Sequence, residues 1–413
     1  MSDTEAAARA AAEAAARESY GKLIAYLAQR SGDVAAAEDA LSQAFATALQ
    51  TWPRDGCPSN PAAWLLTTAR RRLIDAARRG KVRADAALHL KLAAEELADA
   101  EPAEFPDHRL RLMLACAHPE VEPALHAPLM LQVVLGLDAD SIASAFLVSP
   151  AAMRQRLVRA KARIREAGTA FVLPSRETLD ERLEPVLAAV YAAYAHGWTD
   201  PGGADPARGD LAGEALFLAR LLVDLAPEEP EALGLAALIL YAEARRAARR
   251  GPAGEYLPLD AQDITLWDAA LVAAADRLLT RAAAHRKAGR YQLEAALQSA
   301  HMARRRSGHD NWSDVVVLYD ALLALTGSPV VAVNRAVAVA KANGPQAGLA
   351  ALPEAPETSS LETYQPYWAA RAEILSQAGD AAEARRAYAV AIGLERDAAV
   401  AAFLQQRAER LPA

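Results

Sequence analysis

The sequence predicts an all-α protein: two small helical modules followed by a long array of helical hairpins. Three observations carry that expectation. Alanine and leucine dominate an apolar share of 53% and both favour helix, while aromatics are 6% and β-branched runs such as Val315-Val316-Val317 are few. Apolar residues recur at three-to-four spacing in segment after segment. The pairs Asn60-Pro61 and Ser149-Pro150 each read as a capping residue followed by a proline at the first helical position. At 413 residues the chain has room for two to four domains of about 100–200 residues each.

The first amphipathic helix runs from Asp33 to Leu49, with Val34, Leu41, Phe45, Ala48 and Leu49 on one stripe, and ends before Trp52-Pro53. Residues 53–61 are rich in Pro, Gly, Ser and Asn and read as a loop. A second helix, 61–79, turns Trp64, Leu65, Ala69 and Leu73 inward and gathers arginines in its C-terminal half. Residues 84–107, rich in alanine and acid, read as a linker with room for a short helix. Helices resume over 108–115 and 125–135. In 136–168, Asp138 caps a helix over 139–145, a turn follows at Phe146-Leu147-Val148, and Ser149-Pro150 opens a longer helix. That last helix has Met153, Leu157, Ala160 and Ile164 as its buried stripe, leaving Arg154, Gln155, Val158 and Arg159 pointing out. Beyond the breaker at 171–174, small and large apolar residues recur at about 34 residues, the tetratricopeptide (TPR) period; the best unit is 368–394. An irregular helical bundle is the alternative for this half.

The net charge of −7 is unevenly spread. From Arg70 to Lys91 there are eight basic residues against two acidic ones, and from Arg154 to Arg165 six basic residues and no acid. Between them, residues 92–140 hold ten carboxylates against two arginines. Two basic surfaces on an acidic tether suit a polyanion, with two solvated helix faces as the plain alternative. Cys57 and Cys116 alone cannot build a disulfide framework or a four-cysteine zinc site. No apolar run is long enough for a membrane span and no signal-peptide core is visible, so a cytoplasmic chain is expected. No nucleotide-binding, hydrolase or metalloprotease motif occurs, and neither catalysis, a cofactor nor a metal is expected.

The strongest chemical signal is 136–165, a two-helix unit whose second helix exposes basic residues: a helix-turn-helix. Exposed Arg and Gln on such a helix reach base edges in the major groove, and Arg159, Lys161, Arg163 and Arg165 can neutralise phosphates. The weaker signal is 33–83, where a Gly/Pro/Asn loop beside an aromatic residue precedes a basic helix, an arrangement suited to an unpaired base and its backbone.

These motifs resemble extracytoplasmic-function (ECF) sigma factors of the sigma-70 family. DVAAAEDALSQAFATAL (33–49) resembles the helix of region 2 that binds core RNA polymerase, NPAAWLLTTARRRLIDAARR (60–79) the helix that binds the −10 element, and 136–165 the helix-turn-helix of region 4 that binds the −35 element. WPRDGCPSNPAAWLL (52–66), CAHP (116–119), QDITLWDAAL (262–271), GRYQLEAAL (289–297) and 318–340 are similar to an ECF subgroup with a C-terminal TPR-like extension, although Ala117 stands where that subgroup often has a second cysteine. The resemblance implies that Glu38, Asp39, Gln43 and Phe45 meet polymerase. It implies that Arg54, Ser59 and Asn60, with Trp64 beside them, surround a flipped −10 base, and that Arg70, Arg71, Arg78 and Arg79 hold DNA backbone. Arg154, Gln155 and Arg159, with Lys161, would contact the −35 element. The implied domains are 1–90 (region 2), 91–107 (acidic linker), 108–170 (region 4) and 171–413 (a regulatory extension contacting the sigma modules). Within 180–411 a stacked solenoid leaves a groove for which Tyr191, Tyr194, Trp198, Trp267, Tyr291 and Trp312 are candidates, with more of them expected in the core than in the groove. A stand-alone helix-turn-helix regulator with a TPR sensor is the alternative; it has no use for the acidic helix at 33–49.

Overall fold

The computed structural model describes residues 3–79, 107–146, 148–168, 179–198, 206–353 and 361–412. Among them there is no β-strand, only a single bridge between Arg250 and Tyr256. The chain divides into two compact units, Met1–Asp200 with Asp205–Leu218, and Pro201–Ala204 with Ala219–Ala413.

The first unit is built on α1 (Asp3–Ser31), which packs against α2 (Val34–Asp55), α3 (Pro61–Arg79), α4 (Arg109–Cys116) and α5 (His126–Leu135). Its Leu23, Ile24 and Leu27 are fully buried. The approach to α5 requires glycine at position 21, because a Cβ there would lie 2.3 Å from the carbonyl oxygen of Val134. Regions that the sequence reads as separate modules on a tether therefore share one core. α6 (Ala139–Ala145) and α7 (Pro150–Ala167) pack on each other, and α8 (Leu179–Trp198) lies on α4 and α5. The division between units falls inside α9 (Pro206–Leu225), not near residue 171 where the composition changes.

α2 begins where Asp33 accepts from the amides of Ala35 and Ala36 at 2.9 and 3.2 Å. It does not stop before Trp52-Pro53, as its sequence suggests, but runs on to Asp55. Pro53 sits in the last turn, where its missing N–H costs one bond and its fixed φ is still helical. Buried Trp52 anchors that turn, and Gly56, at φ 85°, closes it onto the Trp52 carbonyl. The buried stripe of α2 is Val34, Ala37, Ala40, Leu41, Ala44, Ala48 and Trp52. Phe45 is half-buried and Leu49 is 48% exposed, so the sequence stripe that included them is corrected.

In the second unit α10 (Pro230–Ala244) is buried nearly all round, as its lack of a polar face requires, between α11 (Ala269–Ala284) and α12 (Arg290–Ser307). The Glu231 carboxylate accepts from the amides of Tyr291 and Gln292 at 2.8 and 3.1 Å, capping α12 from a neighbouring helix. Then follow α13 (Trp312–Thr326), α14 (Pro329–Asn343), α15 (Pro345–Ala351), α16 (Gln365–Ala378), α17 (Ala381–Leu394) and α18 (Ala398–Glu409). Their core is serial. One cluster joins Leu297, Val315, Leu322 and Ala338, the next Val333, Ala336, Tyr367 and Ile374, and the last Ala372, Ala384, Tyr388 and Leu404. α18 also returns to the segment after α10, through an ion pair between Arg250 and Asp397 and an edge contact of Tyr256 with Phe403. Of the six aromatics offered for a groove, Tyr194, Trp267 and Tyr291 are buried, and Trp312 is half-buried beneath the Arg304 guanidinium. Tyr191 is half-buried, and the Trp198 side chain lies outside the described residues. Large rings here fill space between helices.

Candidate nucleic-acid and polymerase interface

The loop at 56–60 joins α2 to α3, and Arg54, Cys57, Ser59 and Asn60 are all exposed around it. Asn60 accepts from the amide of Ala63 at 3.0 Å and so caps α3, with Pro61 at its first position. Trp64 meets Trp52 edge to face with centroids 5.4 Å apart, fixing an aromatic wall beside the loop. Arg54 donates to the Gln50 carbonyl, Arg71 is exposed and Arg70 half-buried. Arg72 turns back to α2 and donates to Gln43 and Thr47, at 3.2 Å each. Arg78 and Arg79 close α3, and their side chains lie outside the described residues, as do residues 91–106 of the predicted linker at 91–107.

On α2, Glu38, Ser42, Phe45 and Leu49 follow one another at three-to-four spacing beside the buried stripe. They form a strip running from acidic to apolar. Asp39 is exposed next to it.

The two-helix unit α6–α7 is held by its caps. Asp138 accepts from the amides of Asp140 and Ser141 at 2.9 and 2.8 Å and from the Ser141 hydroxyl at 2.6 Å. The Ser141 contacts hold its carboxyl below the usual carboxylate range. Ser149 caps α7, and Pro150 is its first residue. Met153, Leu157, Ala160 and Ile164 are buried. The remaining positions divide into two flanks. On one, every cation meets an acid: Arg154 pairs with Asp140, Lys161 with Glu38 at 2.6 Å, and Arg165 with Asp33 at 3.3 Å. On the other, Arg156, Arg159 and Arg163 have no ion pair among the described residues, and Gln155 is exposed between the flanks. These three arginines line a cleft of about 630 Å³ whose far wall is the loop 119–123 with Glu120 and Glu122. Gln155 and Arg159 are exposed, and Lys161 is paired with Glu38 on α2. Arg156 escaped the sequence-predicted contacts; its spacing of three to Arg159 and seven to Arg163 is the signal that groups it with them.

The Lys161–Glu38 pair is the buried one, with side chains 11% and 17% exposed. Burial pushes the Glu38 carboxyl up, against the pull of the Lys161 ammonium. The fully buried Cys116 thiol and the Tyr20 hydroxyl are also pushed up, by burial first and by the Glu38 charge second. Among the described residues no group of His, Cys, Asp and Glu could hold a metal ion, and no helix is long and apolar enough to cross a membrane.

Residues 16–83 match the model of sigma-70 region 2, the region of these factors that binds RNA polymerase core, and residues 182–283 match a family of unknown function (DUF6596). An uncharacterized protein of Rhizobium meliloti is 38% identical over 403 residues, spanning 96% of this chain and 94% of its own length. No solved structure matches. The match over α1, α2, α3 and the 56–60 loop coincides with the acidic strip, the loop and the basic helix described above; the chain belongs to the family of the Rhizobium protein and carries a sigma-70 region 2 domain.

Proposed function

We propose that the chain is a sigma factor of the ECF type, which brings core RNA polymerase to particular promoters and is regulated by its own TPR-like C-terminal half. The observation that carries this is the pairing of a sigma-70 region 2 with a second basic helix, α7, presented by a capped two-helix unit. In this reading the strip Glu38, Phe45 and Leu49, with Asp39 and Gln43, docks on polymerase: acid for orientation, apolar surface for binding. The loop with Arg54, Ser59 and Asn60 takes up an unpaired −10 base against the Trp64 wall, and Arg70, Arg71, Arg78 and Arg79 follow the backbone. Gln155 and Arg159 read the −35 major groove, Arg154 joins them by leaving Asp140, and Arg156 and Arg163 hold phosphates. The extension, 171–413, acts on these modules in place of, or beside, a separate inhibitor protein. The serial core of small residues in the second unit supports a stacked-hairpin extension, since one such hairpin cannot bury its own apolar face.

Co-elution with core polymerase in gel filtration tests the reading. The full chain is expected to co-elute, and Asp39→Arg with Leu49→Asp to reduce the complex at least tenfold. A chain that elutes alone, yet still binds a DNA sequence specifically, would be a stand-alone regulator.

A further inference from the structure

The geometry points to a latch: in the free chain α7 is fastened to α2 by Lys161–Glu38 and Arg165–Asp33, and a partner that docks on the α2 strip must open it. The inference rests on the reading of α2 as the polymerase-binding helix. Three observations carry it. First, the two pairs join residues 123 and 132 positions apart, so they are tertiary contacts between the two modules. The third pair of that flank, Arg154–Asp140, spans 14 positions, lies within the helix-turn-helix and is exposed at both ends. Second, the Lys161 pair is largely withdrawn from solvent, and Tyr20 from α1 and Cys116 from α4 stand within electrostatic reach of Glu38. Removal of either charge leaves the other stranded in a poorly solvated place, so the contact favours one geometry. Third, Asp33 serves twice: one carboxylate oxygen caps α2, and the other receives Arg165. The C-terminal end of α7 is thereby tied to the capped N-terminus of α2.

The consequence is mutual exclusion. Glu38 begins the strip that continues through Phe45 and Leu49, and Lys161 sits on that beginning. A partner can use the whole strip only after Lys161 has left. Release frees two cations of α7, Lys161 and Arg165, for phosphate. Polymerase docking and DNA binding are then coupled through one pair of charges, with no effector required.

Spin labels at Ala46→Cys and Val158→Cys, in the full chain carrying Cys57→Ser, report the α2–α7 distance by pulsed electron resonance. The free chain is expected to give one narrow short distance. Lys161→Glu should shift at least half of the population to longer distances, and the exchange Glu38→Lys with Lys161→Glu should restore the short one. A short distance that survives Lys161→Glu, or an exchange variant that is folded by circular dichroism yet stays open, overturns the latch. In the polymerase complex the short distance should vanish; its persistence there overturns the opening step. If the chain does not bind polymerase at all, the sigma reading fails, and the charge exchange still decides the latch.

Discussion

The two flanks of α7 carry three cations each, on the same helix, within the same run of sequence, and the fold treats them differently. Arg154 meets Asp140 on α6, Lys161 meets Glu38 on α2, and Arg165 meets Asp33 at the cap of α2. Arg156, Arg159 and Arg163 line a cleft and have no ion pair among the described residues. A basic cluster therefore counts as a nucleic-acid surface only after internal pairs are subtracted. Half of this one is already spoken for in the free chain.

Truncation separates the flanks most sharply through stability. Lys161→Ala leaves Glu38 buried and uncompensated and should cost about 3 kcal/mol in denaturant unfolding. The loss should depend on pH in a definite sense. Burial already raises the Glu38 carboxyl, and without Lys161 it rises further, so protonation on acidification removes the stranded charge. The deficit of Lys161→Ala is therefore largest near pH 8 and shrinks toward pH 5; a deficit that grows on acidification would mean that Glu38 is not its source.

On the unpaired flank the same truncation should leave stability nearly unchanged and weaken DNA instead. Arg159→Ala is expected to lose about 1–3 kcal/mol of discrimination at one base position. Arg156→Ala and Arg163→Ala should weaken all sequences alike and each lower the slope of log affinity against log salt by about 1. Equal losses on all sequences for Arg159→Ala would make it a phosphate contact as well.

Cap residues come next. Asp138→Ala removes acceptors for two amides and should cost about 1 kcal/mol, read from the unfolding midpoint. The smallest effect belongs to Arg154→Ala. Its pair with Asp140 is exposed, so folding stability should change by less than about 0.5 kcal/mol. If Arg154 leaves Asp140 to read DNA, the variant relaxes sequence preference nonetheless, which would join this residue to the reading surface.

Much of this was legible from residue spacing. The caps Asn60, Asp138 and Ser149 and the stripe Met153, Leu157, Ala160 and Ile164 stand where local chemistry puts them, because a cap or a stripe is decided within one or two turns. Nonlocal geometry was not legible. Nothing near Lys161 in the sequence announces Glu38. Gly21 looks like any glycine until the Val134 carbonyl is seen against it. Leu49 extends the apolar periodicity of α2 but falls beside the packed stripe, where the strip meets solvent. Trp267 and Tyr291 are buried, on the core side of what their sequence allows, but spacing alone does not say which of the six aromatics go inside. Pro53 breaks helices in general, and it is tolerated here because it falls in a final turn anchored by Trp52.

The central claim is that this chain confers promoter choice on RNA polymerase. Run-off transcription with core polymerase on fragmented genomic DNA, with the 5′ ends of the transcripts sequenced, tests it most directly. The claim predicts a small set of discrete start sites that appear only when the chain is added, share upstream sequence near −10 and −35, and fade with Arg159→Ala. Transcript ends no different from those of core polymerase alone would contradict it.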